Sequence, residues 1–228
     1  MSIENILKNT LIHTRKFFNL KCGNRLYRDP KTLSEPKRQF YSWENIMAKN
    51  RLLKKTRNEY LITNNPYERN NILLKVQGNN HVGNCDQFSY MALEYLVENS
   101  KSIWALYQKP FDIALIGVTS CLNNFGHVFV ALSFDCQYPL DQLFIRKEKI
   151  DVWICDAWAN IACQSYKYPF EWIIKMLKWN AAGKALFSSG KTITPIESQV
   201  LQLMKNKNKN KLKVMYKEHI DFTRHSTQ

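Results

Sequence analysis

The chain has no C-x-x-C pair; its six cysteines stand at 22, 85, 121, 136, 155 and 163 without regular spacing. The thiols are therefore expected to be reduced, as in a cytosolic compartment. No apolar run approaches the length that spans a bilayer. The opening Met1-Ser2-Ile3-Glu4-Asn5-Ile6-Leu7-Lys8 is broken by polar residues too often for a signal-peptide core. There is no Walker loop, no G-x-G-x-x-G following a strand and no G-x-S-x-G elbow. Phosphate cradling by a P-loop, dinucleotide binding and a serine-hydrolase elbow are thereby excluded. Zinc sites generally show paired close ligands, and none is present, so neither a metal nor a cofactor is expected. No internal repeat is found.

What remains is the composition of a globular protein. The 228 residues are 45% apolar and 13% aromatic, enough for one domain, with or without appendages, around a real core. Acidic residues are scarce, 19 against 33 basic, for a net charge of +14. The excess is unevenly spread. Residues 1–80 carry 16 Lys/Arg against 6 Asp/Glu, residues 81–204 carry 10 against 11, and residues 205–228 carry 7 against 2. A groove that tracked phosphates at the active site would need its positive charge in the middle segment, so nucleic acid is not expected there. The basic flanks are expected either to meet an acidic protein or an anionic membrane surface, or to be a solvated Lys/Asn-rich surface.

Hydrophobic spacing predicts amphipathic helices over 3–18 and 43–62, a loop over 28–40, and a short helix from Pro66 to about Val76. Turn residues fill 77–84. From Cys85 the apolar positions Phe88, Met91, Ala92, Tyr95 and Leu96 recur with helical period. Strands are predicted at Asp112–Val118, Phe125–Phe134 and Ile150–Asp156, then a helix from Pro169 to about Phe187. The organisation expected is an N-terminal helical cap or partner-binding layer (1–77), a core with C-terminal helices (78–204) and a Lys/Asn-rich tail or linker (205–228).

Three short words carry the chemistry: Gly83-Asn84-Cys85, Gly126-His127-Val128-Phe129-Val130 and Val152-Trp153-Ile154-Cys155-Asp156-Ala157-Trp158. Cys85 opens a helix, where the macrodipole and free N–H groups favour a thiolate and can hold an oxyanion. Gln77, Asn79 and Asn80 lie just upstream as alternative side-chain donors, and the sequence does not choose among them. His127 begins an alternating strand and is the expected base; His81, four residues before Cys85, is the competitor, expected in substrate access if in anything. Asp156 closes an apolar strand, where a carboxylate is costly without a partner. An imidazole N–H is the partner expected. Trp158 is expected either to wall the site or to fill the core. Asp86 and Asp112 are expected at the surface or at element ends, and His13, His219 and His225 lie in flanking segments.

Gly-x-Cys at a helix start, His-x-Phe-Val on a strand and Trp-x-x-Asp on the next resemble the transglutaminase-like, papain-related Cys-His-Asp superfamily over about residues 78–180. The resemblance implies an α+β fold, with a small antiparallel sheet packed on the helix that begins at the nucleophilic Cys. It also implies Cys85 as nucleophile, His127 as base and Asp156 as its orienter, acting on protein amides. Transglutaminases, glutamine deamidases and cysteine proteases share that triad, and the three reactions stay open here. The chain has no obvious calcium loops and no Trp directly after Cys85, which leaves the acyl acceptor open as well. A non-catalytic binding module with basic flanks is the competing class. The Lys/Asn/Ile-rich composition and Lys-Asn tail are similar to Legionella-type effectors of intracellular pathogens. That likeness implies synthesis in the cytoplasm and delivery into a host cell without a classical signal peptide.

Overall fold

The computed structural model describes residues 2–119, 126–144, 150–188, 191–197 and 211–223. Among them the helices are α1 (Ile3–Phe17), α2 (Glu35–Phe40), α3 (Trp43–Glu59), α4 (Pro66–Gln77), α5 (Cys85–Glu98), α6 (Ser100–Tyr107) and α7 (Tyr168–Ala181). The strands are β1 (Arg25–Tyr27), β2 (Phe111–Thr119), β3 (His127–Ser133), β4 (Val152–Asp156), β5 (Ile161–Gln164), β6 (Lys184–Ser188), β7 (Lys191–Ile193) and β8 (Lys211–Ile220). Five strands form one antiparallel sheet in the order β5-β4-β3-β2-β8, and β1-β6-β7 form a second. The fold is therefore α+β. No described helix is long and apolar enough to cross a membrane.

Each of the principal elements follows from its sequence. In α1, Ser2 accepts a hydrogen bond from the Asn5 amide and Glu4 sits in the first turn, with Arg15 and Lys16 in the last. These charges complement the helix dipole. The helix buries Ile3, Ile6, Leu7 and Leu11 at helical spacing. In α5, the Gln87 side-chain carbonyl accepts from the Asn84 amide at 2.8 Å, which satisfies one donor at the helix start. That helix packs on β3 and β2, and the Ser89 hydroxyl donates to the Val128 carbonyl at 2.9 Å. All seven residues of β3 are buried, so both faces of the strand are covered.

Three expectations need correction. Residues 28–40 are not a plain loop: a 3-10 turn at Pro30–Thr32 precedes α2. Each of these elements has a proline in its first turn, where the missing N–H costs nothing. The helix starting near Pro169 ends at Ala181, not Phe187. Gly183 turns the chain at φ 68°, a conformation glycine adopts freely, and Lys184–Ser188 then pair with both β1 and β7. Residues 211–220, expected within a tail or linker, form β8 and lie antiparallel to β2. Charge along an edge strand, alternating with half-buried Leu212, Tyr216 and Ile220, looks like low complexity in sequence but blunts an open edge in the fold. The Lys/Asn residues 205–210, Phe125, Cys121 and His225 lie outside the described residues.

Gly83 shows how tightly the start of α5 is held. A Cβ there would lie 2.7 Å from the Phe18 ring, 3.0 Å from the Phe88 ring and 3.1 Å from the Gln87 Cβ. Those two rings are stacked on each other with centroids 4.2 Å apart. The glycine before Asn84-Cys85 is thus needed for close approach rather than for a left-handed backbone. We expect Gly83→Ala to lower the free energy of unfolding by about 1–3 kcal/mol, the usual cost of overpacking. Urea titration of the two proteins measures this, and an unchanged midpoint would show that the rings part without cost.

Candidate active site

Adjacent strands deliver the two central side chains. His127 is the first residue of β3 and Asp156 the last of β4, and the two strands pair antiparallel from Val130↔Cys155 to Ser133↔Val152. The His127 Nε2 lies 2.8 Å from the Asp156 Oδ2. Both groups are out of water, His127 at 2% exposure and Asp156 at 0%. With Nε2 occupied by the carboxylate, Nδ1 is the ring nitrogen left for another partner. Cys85, the first residue of α5, lies close enough to the same imidazole to favour its charged form and places its Sγ 3.8 Å from the carbonyl of Gly126, the residue before His127. The three residues that the sequence words single out therefore converge on one ring, and the thiol is the half-buried member that solvent reaches.

Burial by itself would push the His127 pKa down. The Asp156 charge, its hydrogen bond and the Cys85 thiol outweigh burial, and the pKa rises from 6.5 to about 10. The imidazole is thus a cation at neutral pH. Burial pushes the thiols of Cys22, Cys136, Cys155 and Cys163 up, Cys163 to about 12. All five described cysteines are free.

A buried carboxylate is tolerable when each oxygen is satisfied. Asp156 Oδ2 also accepts from the Tyr168 hydroxyl at 2.8 Å, and Oδ1 accepts from the Ala159 amide at 2.9 Å. Burial first, and then the Asp156 charge, push the Tyr168 phenol well up, so it remains a donor. Tyr168 and Trp172 sit four apart on α7 and share a helix face. The Trp172 ring lies 4.4 Å from the His127 ring and the Trp158 ring 5.3 Å away. Trp158 packs on both Trp172 and Trp179. Its Nε1 donates to Cys22 Sγ at 2.8 Å and Asn24 Oδ1 at 3.1 Å. It is buried and walls the imidazole at once.

The upstream candidates fare differently. Gln77 is committed elsewhere: its Nε2 donates to the Thr56 hydroxyl and its Oε1 accepts from the Val82 amide. It anchors the turn before Cys85 instead of offering an amide to an oxyanion. Asn79 uses its backbone carbonyl to accept from the Asn19 side chain. Asn80 lines a separate groove with Leu20, Phe40 and Lys49. The His81 ring stacks on Phe17 at 4.1 Å, and its amide donates to Asn19. Asp86 pairs with Arg57 at 3.2 Å. Asp112 does stand near the start of a strand but is buried at 2% exposure, not at the surface. Tyr168 and Trp172 were not singled out in the sequence; their i, i+4 spacing around Pro169 was the available signal. Arg15 and Arg25 donate to the carbonyls of Ala157 and Trp158, contacts across more than 130 residues that no local pattern announces. One other group of metal-capable side chains converges among the described residues, Asp112, Cys136 and His219, away from these three.

No family model, curated protein or solved structure matches this chain.

Two outcomes follow from the buried pair. An imidazole whose folded pKa lies above its unfolded value stabilises the fold fully below pH about 6.5, and the contribution is lost as pH rises through about 10. The stability difference between the parent and His127→Gln should therefore shrink from about pH 7 to about pH 10. An NMR titration that found the His127 ring at its ordinary value would overturn this. Tyr168→Phe removes one donor from a fully buried carboxylate and should cost about 1–3 kcal/mol in denaturant unfolding.

Proposed function

We propose that the chain is a thiol-dependent acyl-transfer enzyme acting on protein amides, with Cys85 as nucleophile, His127 as general acid and base, and Asp156 as the orienter. The observation that carries this reading is the meeting of a half-exposed helix-start thiol and a fully buried carboxylate on a single imidazole. Such a thiol, base and orienter are the parts covalent catalysis needs. The antiparallel sheet that carries His127 and Asp156, packed on the helix opened by Cys85, fits the transglutaminase-like, papain-related core that the sequence words resemble.

The Cys85 sulfur attacks the carbonyl carbon of a carboxamide or peptide. The carbonyl π electrons move to oxygen, and in this reading backbone N–H groups at the start of α5 receive that charge. His127 gives its proton to the nitrogen as the C–N bond breaks, which releases the amine or ammonia and leaves a thioester. Water or a second amine then attacks the thioester while His127 takes back a proton, and the thiolate leaves. Asp156 keeps the ring oriented and stabilises its charged form. Water on a glutamine thioester gives deamidation, a lysine amine gives a cross-link, and a main-chain carbonyl gives proteolysis. The glutamine-directed reactions are our first reading and proteolysis the second. The basic flanks serve in recruitment: Arg51, Lys54 and Lys55 are exposed along α3, suited to an acidic protein or anionic surface. In this reading the protein acts as an effector inside a host cell.

Iodoacetamide at neutral pH should modify Cys85 ahead of the other cysteines, and His127→Ala should remove that preference. Mass spectrometry of candidate targets should then show a gain of one dalton, a cross-link or a cut. Cys85→Ala should abolish it. Asp156→Asn should keep a part of the rate, within the roughly 10²–10⁴-fold that a positioned base contributes. Folded Cys85→Ala protein that turns over its target at the parent rate would overturn the thioester mechanism. A Cys85 no more reactive than its neighbours would favour the binding module.

A further inference from the structure

A second Cys, His and Asp set converges at the opposite end of the five-stranded sheet. Asp112 in β2 pairs in register with His219 in β8, and Cys136 lies in the turn that follows β3. One ligand atom from each of the three lies within 4.8 Å of the other two. His219 Nδ1 is 2.7 Å from Asp112 Oδ1, and Lys217 Nζ is 3.1 Å from Asp112 Oδ2.

We propose that Asp112, Cys136 and His219 form a three-ligand site for Zn²⁺ that fastens β8 to the sheet. The donor set decides the class of cation. A thiolate and an imidazole beside one carboxylate suit zinc, whereas Mg²⁺ and Ca²⁺ require oxygen ligands throughout. Zinc holds such ligands at roughly 2.0–2.3 Å, so to seat one ion the Asp112 and His219 atoms, now in hydrogen-bond contact, would part slightly and the Cys136 sulfur would close on them. The carboxylate divides its oxygens: Oδ1 faces the imidazole, while Lys217 remains on Oδ2 as an outer partner.

The cradle is built rather than incidental. Asp112 is 2% exposed, so it approaches the site from the core. The turn that presents Cys136 is pinned on both sides: the Asp135 amide donates to the Ser133 hydroxyl, the Gln137 amide to the Asp135 carboxylate, and the Tyr138 amide to the Asp135 carbonyl. The Lys217 and His219 contacts alone would account for the buried carboxylate as an ion-pair network; the converging sulfur is the member such a network does not use. His219 is half exposed, which leaves a fourth position for water. The site is also separate from Cys85 and His127. His127 pairs with Val118, six residues along β2 from Asp112, a span of about 20 Å at strand rise. Zinc here is a clamp on an edge strand and takes no part in the proposed acyl transfer.

The test uses the full-length chain stripped with a chelator and titrated with Co²⁺ and then Zn²⁺. One equivalent of Co²⁺ should produce thiolate-to-cobalt absorption in the near ultraviolet, and Zn²⁺ should bleach it. Cys85→Ser should retain the band. Cys136→Ser and His219→Ala should each weaken binding by more than the roughly 10–100-fold that loss of an outer partner costs. Both side chains are partly exposed, and circular dichroism without metal confirms that each variant folds. A second measurement needs no variant: Zn²⁺ should protect Cys136 from iodoacetamide in the parent protein, and chelator should restore labelling. No thiolate band, a band that survives Cys136→Ser, or labelling of Cys136 unaffected by zinc would each overturn the site. None of these outcomes bears on whether Cys85 forms a thioester.

Discussion

Asp156 has no exposed surface, and a lone carboxylate in such a place costs several kcal/mol. The surrounding structure can be read as the set of donors that makes it tolerable. His127 comes from the neighbouring strand, Tyr168 from the first turn of α7, and the Ala159 amide from the turn that leaves β4. That turn is itself held from a distance, because Arg15 of α1 and Arg25 of β1 donate to the carbonyls of Ala157 and Trp158. The Arg25 guanidinium also lies over the Trp179 ring at 4.7 Å, within cation–π range. The N-terminal segment therefore takes part in shaping the wall behind the imidazole, in addition to covering the core. Removal of one partner from this arrangement strands the others, and the effects of single substitutions here should not add.

The same interaction sets the charge of the imidazole. A lone imidazole as buried as His127 would be neutral at physiological pH, since desolvation favours the uncharged ring. The carboxylate reverses that balance, and the ring stays cationic to about pH 10. The aromatic walls matter for the same reason. Trp158 and Trp172 exclude water from the ring, and a charge pair interacts more strongly where water is kept out. Of the three side chains, the thiol is the one that solvent reaches.

Much of this was legible in the sequence, for identifiable reasons. The helix at Cys85 announced itself through Phe88, Met91, Ala92 and Leu96, all of which are buried. The strand at His127 announced itself through alternation, and the carboxylate of Asp156 through its cost at the end of an apolar run. In each case the signal was local and the spacing of one element was enough. Where the deciding interaction is remote, local spacing does not show it. Gln77 looked like a free amide but is claimed by Thr56, 21 positions earlier. Residues 184–188 continued a helical pattern until Gly183 and the pairing with Arg25–Tyr27 made them a strand. Residues 211–220 read as tail because an edge strand needs only half of its side chains to be apolar, and lysines supply most of the rest. Tyr168 stands beside the helix start expected at Pro169, but no local spacing marks it as a donor, since its acceptor lies on another element.

The two Cys, His and Asp groups show that residue type alone does not define a site. In one, the imidazole and carboxylate are buried together, and the thiol stands at a helix start with its sulfur half open. Sequestered charge of that kind favours proton transfer and nucleophilic attack at the exposed member. In the other, only the carboxylate is buried. The imidazole lies on an edge strand, and Cys136 stands in a turn instead of at a helix start, with burial and the Asp112 charge pushing its thiol up. In the proposed zinc site the metal would supply the charge that deprotonates the thiol. Strand β2 connects the two, with Asp112 at one end and Val118, opposite His127, at the other. The order of the edge strand β8 beside β2 then bears on the strand that supports β3. A clamp at Asp112 would act on the proposed active site only through that shared scaffold, as stability, and not through contact with the reacting atoms.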